Sequence, residues 1–152
     1  MGYELRVEMI PSARPTAIVR RRATMAQLPK VIPEACGTVW NMVKARGIKG
    51  AGRHVAVYLD DEMNLEIGVE VEEPIQGDDE LIASSLPSGR VVTTVHFGPY
   101  QQLKAAHQAI QDWCKANGQE LVRPCWEVYG HWLDEWNTDP SKIRTDVCYL
   151  LK

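Results

Sequence analysis

A lone carboxylate among aromatic rings is the feature of this sequence best suited to chemistry. From Cys125 to Trp132 the chain reads Cys-Trp-Glu-Val-Tyr-Gly-His-Trp. As a strand, its alternation sets Glu127, Tyr129 and His131 on one face and Trp126, Val128 and Trp132 on the other. An ionised Glu in so apolar a run is costly to bury without a partner. That partner is either a buried basic side chain or a cationic ligand. In a low-dielectric pocket a carboxylate attracts positive charge more strongly than it does in water. Aromatic faces add stacking and cation–π attraction, worth about 0.5–2 kcal/mol per ring. The same carboxylate could instead activate a water while Tyr129 or His131 polarises a carbonyl. Glu127 and Tyr129 are the catalytic pair only under that hydrolase reading.

The elements that must hold these groups occur twice. Tyr3–Ile10 and Pro15–Ala23 read as strands. A helix follows from Met25 or Leu28 to Arg46, with Leu28, Ile32, Ala35, Val39 and Met42 on its apolar face. Gly47 ends it, and Pro33 within the pattern predicts a bend or a late start. His54–Leu59 and Leu65–Val71 read as two further strands around Asp60-Asp61. In the second half, Leu81–Leu86 and Arg90–Phe97 read as strands, and a helix begins near Pro99. That helix carries Leu103, Ala106, His107, Ile110, Trp113 and Cys114 on one face and stops at Asn117-Gly118. Cys125–Leu133 and Thr145–Leu151 close the chain as strands.

This order predicts one domain over 1–152, built from two strand–strand–helix–strand–strand units of about 1–75 and 76–152. Val43-Lys44-Ala45-Arg46-Gly47 matches Cys114-Lys115-Ala116-Asn117-Gly118, and the same offset sets Val57-Tyr58 on Val128-Tyr129 and Ala56 on Glu127. Glu66-Ile67 falls on Asp146-Val147. Two such units can share an antiparallel sheet, with both helices on one side and a groove at the pseudo-twofold. Concave sites between packed elements are where small ligands bind. Tyr58 and Tyr129 then approach the groove from opposite halves, and only the second half supplies a carboxylate. Trp40, at the edge of its helix's apolar face, is a third aromatic wall. Trp132 and Trp136 flank Leu133-Asp134-Glu135, which reads as a lid or an exposed apolar patch.

Composition narrows the classes. Over 152 residues, 45% are apolar and 24% charged, ordinary for a globular domain. No apolar run is long enough to span a membrane, and the N-terminus has no signal-peptide pattern, so a cytoplasmic protein is expected. The net charge of −3 disfavours non-specific nucleic-acid binding, and Arg20-Arg21-Arg22 reads as a solvated edge. Cys36, Cys114, Cys125 and Cys148 form no CxxC pair, and the four histidines show no metal spacing. No metal and no cofactor is expected, and no nucleotide-binding loop is present.

Two motifs resemble a known family. Val95-His96-Phe97-Gly98-Pro99-Tyr100, opening a helix at Gln101-Gln102-Leu103, resembles the R-H-x-G-P-Y-x-x-L signature of GyrI-like small-molecule-binding domains. Pro124-Cys125-Trp126-Glu127-Val128-Tyr129 resembles that family's P-x-x-E-x-Y strand. The resemblance spans essentially the whole chain. It implies an α+β fold with two helices over a curved antiparallel sheet, as in the effector-binding domains of AraC-type and MerR-type multidrug-sensing regulators. It also implies a groove that takes bulky, flat, often cationic compounds, with Glu127 as the acidic residue and Tyr129 as an aromatic one. Some stand-alone members open the cyclopropane ring of DNA-alkylating natural products, and one member inhibits gyrase. Here Val95 stands where the family has a basic residue, and no helix-turn-helix is expected beside the two units.

The expectation is therefore a stand-alone domain binding aromatic, often cationic small molecules. Glu127, Tyr129, Tyr58, Trp40, Trp132 and His131 are its ligand-binding residues. The alternatives are a ring-opening hydrolase and an interaction module with a protein partner.

Overall fold

The computed structural model describes residues 2–152. Eight strands and two helices follow one another as β1 (Arg6–Ile10), β2 (Arg14–Arg22), α1 (Leu28–Ala45), β3 (His54–Tyr58), β4 (Asn64–Glu70), β5 (Ile82–Leu86), β6 (Gly89–Phe97), α2 (Leu103–Ala116), β7 (Leu121–Tyr129) and β8 (Arg144–Leu151). All eight strands form one antiparallel sheet in the order β1-β6-β8-β7-β3-β4-β2-β5, curled into a half-barrel. The order has an exchange in it. β1 lies against β6 of the other half, and β5 against β2, so each half lends its first strand to its neighbour. The centre of the sheet is the pair β3 and β7, where Ala56 stands directly opposite Glu127.

Both helices pack on one face. Under α1, Leu28, Ala35, Val39 and Val43 join Ala17, Val19, Ala56, Leu65, Ile67 and Val69 from the sheet. Under α2, Leu103, Ala106, Ile110 and Cys114 join Val92, Cys125, Val147, Tyr149 and Leu151. Tyr58 and Tyr129 touch both clusters and link the two cores. Burying each Val, Leu or Ile of this kind contributes about 1.5–3 kcal/mol, which makes these faces the main source of stability. The two helices stop the same way: Gly47 and Gly118 both take φ +65°, where a side chain would be strained. Ile48 N–H then donates to Val43 O at 3.0 Å, and Gln119 N–H to Cys114 O at 2.9 Å.

Several expected boundaries shift for physical reasons. α1 begins at Leu28 and runs through Pro33, with no delayed start. Pro29 lies in the first turn, whose N–H groups have no intrahelical acceptor, so only the donor of Pro33 is lost. The second helix opens with a 3-10 turn at Tyr100–Gln102 and becomes α-helical at Leu103 instead of near Pro99. β7 begins at Leu121, ahead of Cys125, and its pairing with β8 breaks between Val122 and Cys125. It also ends at Tyr129 and does not reach Leu133. After Gly130 the chain leaves the sheet for a 3-10 turn at Asp134–Asn137. His131 and Trp132 are thus not strand residues, and alternation does not decide where they point. Arg20, Arg21 and Arg22 lie beyond the end of the β5 pairing and are exposed, with Arg20 3.6 Å from Glu66.

Candidate functional site

A groove of about 1000 Å³ runs between α1 and α2 with the sheet as its floor. α1 contributes Leu28, Ile32, Cys36 and Trp40; α2 contributes Leu103, His107 and Gln111. Glu127, Tyr58, Tyr129 and Tyr149 form the floor. Glu127 is only 4% exposed there. Tyr129 Oη–H donates to its Oε1 at 2.6 Å, and Tyr58 Oη–H donates to the same oxygen at 3.2 Å. On the other oxygen, His107 Nε2 lies 2.6 Å from Oε2. Among the described residues, His107 is the one ion-pair partner of Glu127, and no arginine or lysine neutralises it.

The tyrosines keep their protons. Burial pushes the Tyr129 phenol well up, and the adjacent Glu127 charge adds to the effect. Burial and then Glu127 act on Tyr58 in the same direction. Both are therefore neutral donors whose hydroxyls hold the carboxylate and whose rings face the groove. Tyr100 meets Tyr129 edge to face at a centroid distance of 5.7 Å.

The remaining expected residues stand at the rim. Trp40, 40% exposed, packs edge to face on His54 at 6.0 Å between ring centroids. Trp132 is exposed and makes an edge contact with buried Trp136 at 5.3 Å, and its Nε1–H donates to Asn137 Oδ1 at 3.1 Å. His131 is exposed beyond the strand, lines the groove and makes no hydrogen bond to Glu127. His96 belongs to the fold instead. It is buried, with Nδ1 2.9 Å from Tyr3 Oη and Nε2 3.3 Å from Pro99 O, which ties the β6-to-α2 turn.

Sequence reasoning missed His107 and Tyr149. His107 lies one position from Ala106 on the apolar face of α2 and reads there as a core histidine. Its role exists only because α2, packed over β6 and β8, carries it to the carboxylate of neighbouring β7. Tyr149 Oη is 2.8 Å from His107 Nδ1, and Gln111 Nε2–H donates to that hydroxyl at 3.3 Å.

A second cavity, about 1330 Å³, occupies the helix-free face of the sheet. The two of its carboxylates that are withdrawn from solvent are matched by arginine, Glu70 by Arg14 and Arg53 and Asp146 by Arg53 and Arg144, while Glu8 and Glu72 line it as exposed residues. Val95 lines this cavity and not the groove. The groove is the site whose buried carboxylate lacks a permanent counter-ion.

The model of the GyrI-like small-molecule-binding domain matches residues 3–152. The chain belongs to the GyrI-like family. Solved structures agree on the fold. The C-terminal domain of EcmrR is 22% identical with a TM-score of 0.78, covering 100% of this chain and 99% of that one. In the EcmrR–DNA complex, this GyrI-like chain covers only 57% of the longer EcmrR chain, at 20% identity and a TM-score of 0.75. SAV2435 bound to tetraphenylphosphonium is 12% identical, with a TM-score of 0.61 over 100% of this chain and 94% of that one. A hydrolase encoded by lin2189 from Listeria innocua is 11% identical, with a TM-score of 0.63 over 99% and 93%. At such identities the likeness shows the fold alone. No curated protein matches the chain. Among the described residues, no helix is long and apolar enough to cross a membrane.

Proposed function

We propose that this GyrI-like domain binds bulky aromatic, preferably cationic small molecules in the groove between its helices, sequestering or sensing them in the cytoplasm. The chain acts as one domain of two units, about 1–75 and 76–152, with the guest at their junction. One observation carries the reading: a buried carboxylate lies on the floor of a largely apolar groove, held by two tyrosine hydroxyls and a histidine and by no fixed cation. Tyr58, Tyr129 and Trp40 are the aromatic walls, and Trp132 and His131 contact the guest at the rim. SAV2435, which shares the fold, binds tetraphenylphosphonium, a bulky aromatic cation. The test is titration with a rhodamine-type dye, followed by tryptophan quenching, in wild type and in Glu127→Gln. Saturable binding that weakens in the variant supports the reading. Binding that ignores the variant turns attention to neutral ligands or a protein partner.

A hydrolase is the second reading, favoured by the Tyr149–His107–Glu127 hydrogen-bond chain. Glu127 takes a proton from water, and the water oxygen bonds to a carbon of a strained cyclopropane. The broken ring bond's electron pair moves into the conjugated carbonyl, which Tyr129 polarises and the proton finally reaches. Product formation lost in Glu127→Gln with binding retained would establish this chemistry.

A further inference from the structure

Glu127 is held by a histidine that can exist in two charge states, and the hydrogen-bond network accommodates both. With His107 neutral, Gln111 donates to Tyr149 Oη, Tyr149 donates to His107 Nδ1, and Nε2–H donates to Glu127 Oε2. Every donor then points towards a carboxylate whose charge is uncompensated. With His107 protonated, Nδ1–H donates to the Tyr149 oxygen, and the Tyr149 hydroxyl turns away from the ring, on the side of its cross-strand neighbour Cys125. Glu127 is then neutralised from inside the protein. An imidazolium and a cationic guest serve the same oxygens, and like charges so close together repel.

We propose that His107 is the internal counter-cation of the groove and so determines which guests it accepts. A cationic guest enters in exchange for one proton; an uncharged aromatic guest enters with the proton retained. The inference rests on the groove at Glu127 being the cation site.

The surroundings single out His107. β7 presents Glu127, Tyr129 and Cys125 to it, β8 presents Tyr149, and β3 presents Tyr58. Burial raises the Tyr58, Tyr129, Tyr149 and Cys125 groups, so they hold their protons at neutral pH. On its own helix, Lys104 and Gln111 line the same groove, and α1 brings Cys36, raised to about 11 by burial. At the rim, Asp61 pairs with Arg123, and Asp60 is held low, mainly by its hydrogen bond from Asn64. Two other histidines line the groove. Burial pushes His54 down, so it stays neutral, and His131 is exposed and free of Glu127.

The sign follows from competition. A bound cation disfavours the imidazolium, so cation affinity rises with pH. The rise reaches at most about tenfold per pH unit where the empty groove holds the proton and the filled one does not. Above that window affinity levels off.

Calorimetric titration of the full chain with tetraphenylphosphonium chloride tests this, at about pH 6 and pH 8 and in buffers of contrasting ionisation enthalpy. Wild type is expected to release protons as the cation binds and to bind the cation more tightly at the higher pH. His107→Gln keeps an N–H donor for Glu127 and loses both the release and the pH dependence. His54→Gln and His131→Gln keep the release even where they lower affinity. Should His107→Gln fail to fold, the His107 ring proton resonance in wild type gives the same answer, its titration midpoint falling on saturation with the cation. Cation binding that depends on Glu127 but shows neither proton release nor pH dependence overturns the exchange and leaves the cation groove standing. Release that persists in His107→Gln assigns the proton elsewhere and also overturns it. No binding at either pH removes both.

Discussion

The two walls of the groove share a backbone plan and differ in chemistry. Setting Val43–Gly47 at the end of α1 on Cys114–Gly118 at the end of α2 also sets Cys36 on His107 and Trp40 on Gln111. In the sheet, Ala56 pairs with Ile67 as Glu127 pairs with Val147, which sets Val69 on Tyr149. At these positions the first half therefore has Trp40, Cys36, Ala56 and Val69, of which Trp40 and Cys36 line the groove, and the second has Gln111, His107, Glu127 and Tyr149, all of which line it. One wall is apolar where the other carries a continuous hydrogen-bond relay. Only the tyrosines Tyr58 and Tyr129 are common to both, and they converge on one carboxylate oxygen. The register explains why the difference is needed. Ala56 and Glu127 face each other across the central pair of strands, so an identical second half would set two carboxylates side by side in the core. A single acid opposite an alanine keeps the charge and avoids the repulsion.

Making the walls alike is expected to have the largest effect. Ala56→Glu places a second, unpartnered carboxylate at a fully buried position beside Glu127. It should cost about 3–5 kcal/mol of stability, read as a large fall in the denaturant midpoint, and a variant as stable as wild type would contradict the register. Making both walls neutral comes next. Glu127→Gln removes a charged acceptor, and affinity for a cationic dye should fall by about 1.5–3 kcal/mol, roughly ten- to a hundredfold. Affinity for an uncharged aromatic guest should change far less, and equal losses for both would argue against charge as the basis of selection.

The shared tyrosines sharpen the comparison. Each phenol-to-phenyl change deletes one donor to Glu127, worth about 1–3 kcal/mol. Tyr129→Phe, which removes the 2.6 Å bond, should cost more stability than Tyr58→Phe, which removes the 3.2 Å one. Equal losses in thermal melts would mean that the two halves hold the carboxylate alike. The smallest effect is expected at the apolar rim. Trp40→Ala should lose about 0.5–2 kcal/mol of cation binding and little stability, because the ring is 40% exposed. A large drop in melting temperature would show Trp40 to be core instead of wall.

Much of this was legible in the residues, for reasons that can be named. The period of each element shows which of its own side chains share a face, so Leu28, Ala35 and Val39 on α1, and Glu127 with Tyr129 on β7, could be grouped without coordinates. Gly47 and Gly118 marked the helix ends because few other residues tolerate their backbone angle. Alternation ceased to apply where the strand had already ended, at His131 and Trp132, although both line the groove. Nothing local distinguishes a strand that continues past Gly130 from one that turns out towards Asp134–Asn137.

What the sequence determined by itself is the repertoire: two strand–strand–helix–strand–strand units, one acidic residue among aromatics, and the faces on which they lie. What only the tertiary structure decided is who meets whom. The exchange of β1 and β5 between halves, the pairing of Ala56 with Glu127, and the reach of His107 from α2 and Tyr149 from β8 to one carboxylate all join residues distant in the chain. Periodicity is a property of a single element, whereas such contacts depend on how one element's face is set against another's. That is decided by burying the apolar faces of both helices on one curled sheet.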